Sequence, residues 1–133
     1  MSTLTQDMKN MIAEQQCFIA TVSKAGSPNV APKRSTRVVD DETLAFNEGT
    51  GGATYQNMLD GSKVVVAVVN RDVIDGFRFL CDVNLRTASD PQYEAAKEKS
   101  LKMGLPAPKA LALLHINEIH SLKPGPTAGK KIG

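Results

Sequence analysis

Most links between the apolar segments of this chain are short turns, which favour antiparallel pairing. Cys17-Phe18-Ile19-Ala20-Thr21-Val22 reads as a buried strand and is followed by the turn Lys24-Ala25-Gly26-Ser27. Apolar and β-branched residues resume at Val30 and continue through Thr36, Val38 and Val39, which completes a hairpin. Asp40-Asp41-Glu42-Thr43 turns the chain into a strand over 44–47, and residues 71–76 join a strand over 63–70 to an alternating segment over 77–87. A parallel crossover needs about a dozen residues or more, so these turns make an antiparallel sheet more likely than a parallel one. With a last strand over 110–122, about six strands form one antiparallel sheet closing into a small barrel, a mainly β (α+β) fold.

Three helices flank the sheet. Met8, Met11 and Ile12 fall at helical spacing within residues 3–15, with Thr5 as the cap. A second helix starts near Ala53 and stops at Gly61; a third opens on Asp90-Pro91, a cap followed by proline at the first helical position, and closes at Gly104. The 133 residues suit one domain over 1–133, with the first helix inside 1–16 and a Pro/Gly-rich tail over 123–133.

Composition excludes several function classes. The net charge is +2 with basic residues dispersed among acidic ones, which leaves no broad cationic surface for nucleic acid. The run Val64-Val65-Val66-Ala67-Val68-Val69 predicts a strand buried on both faces and is too short to span a bilayer. Without a basic-then-apolar leader, a cytoplasmic protein is expected. Cys17 and Cys81 are isolated in apolar segments and read as buried reduced thiols. Tryptophan is absent and aromatics are few, which disfavours a binder built on stacking platforms.

Familiar catalytic patterns are missing as well. His115 and His120, five apart on the last strand, are expected on opposite faces and so do not share a metal. No serine sits in a Gly-x-Ser-x-Gly elbow, and Asp40-Asp41-Glu42 belong to a solvated turn.

Two stretches carry suggestive chemistry. The first runs from Leu44 to Leu59: a strand, then Gly49-Thr50-Gly51-Gly52, then the helix opening Ala53-Thr54-Tyr55-Gln56-Asn57. Backbone without Cβ wraps closely around a ligand, and helix-start N–H groups carry partial positive charge, so the junction suits a phosphate. It is neither a Walker loop, which ends Gly-Lys-Ser/Thr, nor a dinucleotide fingerprint, whose third glycine is Thr54 here. The alternative is a mobile surface loop. The second stretch, Pro32-Lys33-Arg34-Ser35-Thr36-Arg37, brings three cations and two hydroxyls onto one strand. Alternation sends Lys33, Ser35 and Arg37 to one face, Arg34 and Thr36 to the other. This segment either holds a phosphorylated ligand or is an edge strand protected by its charges.

Taken together, these segments resemble the FMN-binding split barrels related to pyridoxamine 5′-phosphate oxidase. The likeness runs from about Cys17 to the C-terminus and rests on the order of its parts. These are Ala20-Thr21-Val22 with Gly26 and Pro28-Asn29-Val30, the segment from Pro32 to Val39, the Asp40-Asp41 turn, Phe46 with Gly49, and Thr54-Tyr55-Gln56-Asn57. The tail Ser121-Leu122-Lys123-Pro124-Gly125-Pro126-Thr127-Ala128-Gly129-Lys130-Lys131-Ile132 is similar to the ending of short, stand-alone members.

The resemblance implies a six-stranded split barrel that binds FMN at the interface of a homodimer and works as an oxidoreductase. Pro32 to Thr36 would run along the flavin ring and ribityl chain. Ser35 and Thr54 would give hydroxyl hydrogen bonds to phosphate, Lys33 or Arg34 would supply charge, and Asn47 and Glu48 would bring backbone groups to the isoalloxazine. Gly49, Thr50 and Asn57 complete the implied cofactor-binding set. No metal and no membrane are implied. Many relatives carry Lys or Arg where this chain has Ala53, a loss that Arg34, Arg37, Lys130 or Lys131 would compensate. The oxidase's substrate-gripping arginine and histidine have no counterpart in the tail, so vitamin B6 oxidation does not follow. A non-catalytic flavin carrier or redox-responsive binding protein, and the same barrel holding a deazaflavin, haem or no cofactor, are the alternatives.

Overall fold

The computed structural model describes residues 3–133, so the first two residues of the expected 1–16 segment lie outside the described residues. Helix α1 (Gln6–Glu14) opens on a capping box: Thr5 Oγ1 accepts from Met8 N at 3.3 Å, and the Met8 sulfur accepts from Thr5 N at 3.4 Å. Leu4, Met8, Met11 and Ile12 are buried against the barrel interior. Then follow β1 (Cys17–Val22), β2 (Pro28–Pro32), β3 (Arg37–Asp40), β4 (Thr43–Glu48), α2 (Ala53–Leu59), β5 (Val64–Asn70), β6 (Asp75–Arg86), α3 (Pro91–Lys102) and β7 (Ala110–Ser121).

All strands join one antiparallel sheet in the order β2-β1-β5-β6-β7-β4-β3. The strand count is seven rather than six, because the single strand expected through Pro32–Thr36 breaks. Thr36 turns back on Lys33, whose carbonyl accepts from both its N–H (3.2 Å) and its hydroxyl (2.7 Å). Strict alternation along this segment is therefore lost. The break also has an architectural effect: β2 and β3 lie at the two opposite edges of the sheet, and only residues 33–36 cross the seam between them.

The core follows from the pattern of the strands. Ile19, Leu44, Phe46, Val64, Val66, Val68, Phe79, Leu114 and Ile116 point inward and are buried. Outside, the two halves of the sheet differ. Tyr93 and Ala96 of α3 cover Ala45 and Leu111, and the Tyr93 hydroxyl donates to Pro108 O at 2.6 Å. On the outer face of β1, β2 and β5 the side chains stay open among the described residues, including Phe18 (44% exposed), Val22 (46%), Val30 (65%) and Val69 (49%). The 64–70 strand is thus buried on one face only, contrary to the expectation from its composition: Val65 and Ala67 are half-buried on the other.

One further expectation is corrected at β7, and the tail packs there. A bulge at Asn117, where Leu80 pairs with Glu118 but Cys81 with Ile116, inserts one residue and puts His115 and His120 on the same outer face. They still form no metal cluster among the described residues. His120 Nδ1 accepts from Arg78 Nε and Nη2 (3.0 and 2.8 Å), so its Nε2–H donates to Glu118 Oε1 at 3.1 Å. The tail folds back on β7, with Ser121 N donating to Lys130 O (2.9 Å), Ile132 N to Ile119 O (2.8 Å) and Lys131 opposite His120. Glu48 pairs at the other end of β7, opposite Ala110.

Cys17 and Cys81 are free and buried, as their surroundings predict. Among the described residues no helix is long and apolar enough to cross a membrane.

Candidate functional site

The glycine turn is filled by a side chain of the protein itself. Glu48 ends β4 with an inward carboxylate that is 0% exposed. Its Oε2 accepts from Gly51 N (2.9 Å), Thr50 N (3.1 Å) and Thr50 Oγ1 (3.2 Å), while Oε1 meets Lys33 Nζ at 3.0 Å. Burial alone would push this carboxyl's pKa up; the Gly51 N–H, the Lys33 ammonium and the Thr50 hydroxyl outweigh it and hold the group below its ordinary value. Two amides that the sequence offers to a phosphate therefore serve Glu48, and Lys33 balances its charge. The Glu48 carbonyl is also in use, accepting from Lys109 N at 2.7 Å.

Lys109 is the residue that sequence reasoning missed. Its side chain lies over Gly51, which has φ +71°, so a Cβ there would come within 2.8 Å of Lys109 Cδ and Cε. The lysine is exposed and has no ion-pair partner among the described residues. Nothing local in the sequence marks it, since the strand pairing of Glu48 with Ala110 brings it to the turn.

The neighbouring residue, Asn47, points to the opposite face of β4 and organises a second cluster. Its N–H donates to Ser35 Oγ (2.8 Å), its Oδ1 accepts from Arg37 Nη2 (3.2 Å) and its Nδ2 donates to Ser100 Oγ (3.3 Å). Arg34 and Thr36 go elsewhere, to a hollow of about 510 Å³ under α1 that Arg37 and Gln6 also line. Arg34 is exposed and lacks an ion-pair partner among the described residues. Pro32 is exposed at the end of β2.

Helix α2 seats the last two candidates. Thr54 is buried and its Oγ1 accepts from Asn29 Nδ2 at 3.1 Å; buried Asn57 donates from Nδ2 to Thr21 Oγ1 at 3.0 Å. Gly52 is the N-cap of α2. The candidates implied by the resemblance thus divide into the Glu48 turn, the Asn47 cluster, the α1 hollow and the α2 packing contacts.

The comparisons with known proteins agree with this architecture. The sequence pattern of the pyridoxamine 5′-phosphate oxidase family matches residues 4–123, and the chain belongs to that family. An uncharacterised protein of Methanocaldococcus jannaschii is 32% identical over 132 residues, covering 97% of this chain and 87% of that protein. Among solved structures, the tagged HupZ protein of Group A Streptococcus superposes with a TM-score of 0.84 at 38% identity, over 95% of this chain and 99% of the other. An FMN-binding protein from Syntrophomonas wolfei subsp. wolfei shares the fold, with a TM-score of 0.70 at 19% identity, over 86% of this chain and 83% of that one.

FMN carries a phosphate dianion, so a site for it needs donors that the protein has not already committed. Lys33 and the Thr50 and Gly51 amides are committed to Glu48. Arg34, Lys109 and the hydroxyl proton of Thr54, whose oxygen only accepts from Asn29, remain uncommitted among the described residues. These donors stand at three places: Arg34 at the hollow under α1, Lys109 over Gly51 and Thr54 against Asn29.

Proposed function

We propose that this chain is a cytoplasmic FMN-binding flavoprotein that transfers electrons or hydride between a reduced donor and a small-molecule acceptor, with the flavin at the boundary between two protomers. The observation that carries the reading is the match of residues 4–123 to the pyridoxamine 5′-phosphate oxidase family, with Arg34, Lys109 and the Thr54 hydroxyl uncommitted in or beside the segments that the family resemblance gives to the cofactor. Bound FMN would supply the redox chemistry. In this reading Lys109 or Arg34 would neutralise phosphate charge and Thr54 would donate one hydrogen bond, while the Glu48–Lys33 pair holds the glycine turn over which Lys109 lies.

The bare apolar face of β1, β2 and β5 supports the dimer. A barrel this small has an interior just wide enough for its own side chains, so a ligand as large as FMN lies outside it and needs a second wall. Phe18, Val22, Val30 and Val69 form a sheet surface that a second copy would bury.

An absorbance spectrum of the purified protein tests the cofactor, because flavin, deazaflavin and haem absorb differently. Flavin fluorescence quenching should then show FMN bound more tightly than riboflavin, with the preference lost in Arg34→Ala/Lys109→Ala. Equal affinity for the two flavins in the unaltered protein counts against the phosphate site. A yellow protein that turns over with no nicotinamide donor would make it a carrier rather than an enzyme.

A further inference from the structure

We propose that the end of α3 and the turn that follows it dock on the surface of an anionic lipid bilayer, with Met103 and Leu105 entering the headgroup boundary and the neighbouring lysines meeting the lipid charges. The tip protrudes from the fold. Residues 101–107 are exposed without interruption, and three of them are large and apolar: Leu101 (52% exposed), Met103 (66%) and Leu105 (52%). The buried residues of α3, Tyr93, Ala96 and Ser100, all precede this run, so the earlier turns of the helix hold it to the sheet and its end stands clear.

The tip is also closed on itself. Gly104, at φ +76°, donates from its N–H to Leu101 O (3.0 Å), and Leu105 N donates to Ser100 O (2.9 Å), the two bonds of a Schellman motif. In that motif the residue at the place of Leu105 commonly packs on the one at the place of Ser100; here that partner is a serine, and Leu105 stays open. The Met103 N–H bonds helix carbonyls as well, and Pro106 and Pro108 have no N–H to satisfy. A tip whose amides are spent in this way enters a boundary poor in water without baring them.

Charge points to the kind of surface. Residues 97–105 hold Lys97, Lys99 and Lys102 against Glu98 alone, so this short segment carries as much net charge as the whole chain, +2. Lys102 meets Glu98 at 3.0 Å, but their side chains are 74% and 68% exposed, and a pair so open to solvent is weak enough for the lysine to turn to a lipid. A stable protein interface takes roughly 20–30 residues a side, far more than this convex tip offers. A bilayer asks less: a few apolar side chains set about 5–10 Å into the headgroup boundary, and cations beside its anionic surface. Since α3 lies over Ala45 and Leu111, away from the open face of β1, β2 and β5, and the tip uses none of the residues given to the cofactor, the inference does not rest on the flavin reading.

The test sediments the full chain with vesicles of phosphatidylcholine alone and with vesicles of an equal mixture of phosphatidylcholine and phosphatidylserine. The protein should pellet with the mixed vesicles, less as salt is raised, and stay in solution with the neutral ones. Lys99→Gln should weaken binding about fivefold, and Met103→Ser/Leu105→Ser about tenfold or more. Val73→Ser, at a similarly exposed apolar site (63%) on the turn between β5 and β6, should leave binding unchanged. The chain has no tryptophan, so Met103→Trp gives a single indole whose emission should move to shorter wavelength on the mixed vesicles. All these positions are exposed, and thermal melts confirm that the variants fold. No pelleting with mixed vesicles, equal pelleting with neutral ones, or an unshifted emission overturns the proposal. So does binding that Met103→Ser/Leu105→Ser leaves intact, which would be charge attraction alone. A lower sedimentation coefficient of Met103→Ser/Leu105→Ser without lipid overturns it too, since a second copy of the chain would then cover the tip.

Discussion

Lys33 and Glu48, which the sequence suggests as separate contributors to cofactor binding, form an ion pair at 3.0 Å with the lysine 12% and the glutamate 0% exposed. The lysine ammonium also lies 5.8 Å from the centre of the Phe46 ring. The pair ties the short crossing of the barrel seam to the start of the glycine turn, so its chief effect falls on the geometry of that turn. Replacing Glu48 by Gln leaves Lys33 without its counter-charge and should cost about 3 kcal/mol at pH 7. Because the folded-state pKa of Glu48 is depressed, its contribution is present above the unfolded value of about 4.3 and is lost as pH falls through the lower folded value. Urea melts from pH 7 downward should show the gap between the unaltered protein and Glu48→Gln narrowing in that acid window; a constant gap would mean the carboxylate is not preferentially stabilised.

Thr54→Val separates ligand binding from folding less cleanly than the sequence suggests. The hydroxyl's removal should weaken FMN binding by about 1.5 to 3 kcal/mol, the scale of one hydrogen bond to a charged acceptor. Since Thr54 also accepts from Asn29, stability should fall by about 1 kcal/mol as well. Asn29→Ala reproduces the second loss alone, so calorimetry on both variants isolates the flavin contact.

The uncovered face of β1, β2 and β5 makes a prediction about assembly. Val30→Glu places a charge at a position already 65% exposed in one protomer, so the isolated fold should tolerate it. Sedimentation should show a dimer converted to monomer, with flavin released on the same dilution curve. A monomeric unaltered protein that retains flavin would remove the need for a shared site.

Burial pushes the Cys17 thiol up to about 11, and burial followed by the nearby Asp82 charge pushes Cys81 up to about 12. Neither should react with a thiol-specific disulfide reagent at pH 8 while the protein is folded, and both should react once it is unfolded in guanidinium. Rapid native labelling of either would reveal an opening of the barrel that its packing does not suggest.

The fold was legible because its signals are local. Period-two apolar residues and links of a few residues dictate antiparallel pairing whatever the tertiary context, and Thr5, Asp90 and Pro91 mark helix starts by chemistry confined to one turn. What escaped depends on contacts between distant segments or on a single added residue. The 33–36 turn contains no glycine or proline; only its hydroxyls, one of which bonds Lys33 O, distinguish it from a strand. Asn117 shifts the parity of β7 and with it the side on which His120 lies. At the candidate site the residue types were visible but their partners were not. Glu48 looks like an ordinary strand end until the turn wraps its carboxylate, and Lys109 is brought to Gly51 by the pairing of β4 with β7.

Along β7, the β4 partner stops at His115, and farther on the tail takes up the vacant side, with Ile132 and Gly133 at Ile119, Lys130 at Ser121 and Lys131 opposite His120. Main-chain donors and acceptors that a neighbouring molecule would otherwise find are thereby occupied, and the guarding segment carries two lysines that discourage stacking of one chain on the next. The consequence expected is colloidal: a chain shortened at Lys123 bares that side of β7 and should scatter light and bind thioflavin on warming well before its helices melt.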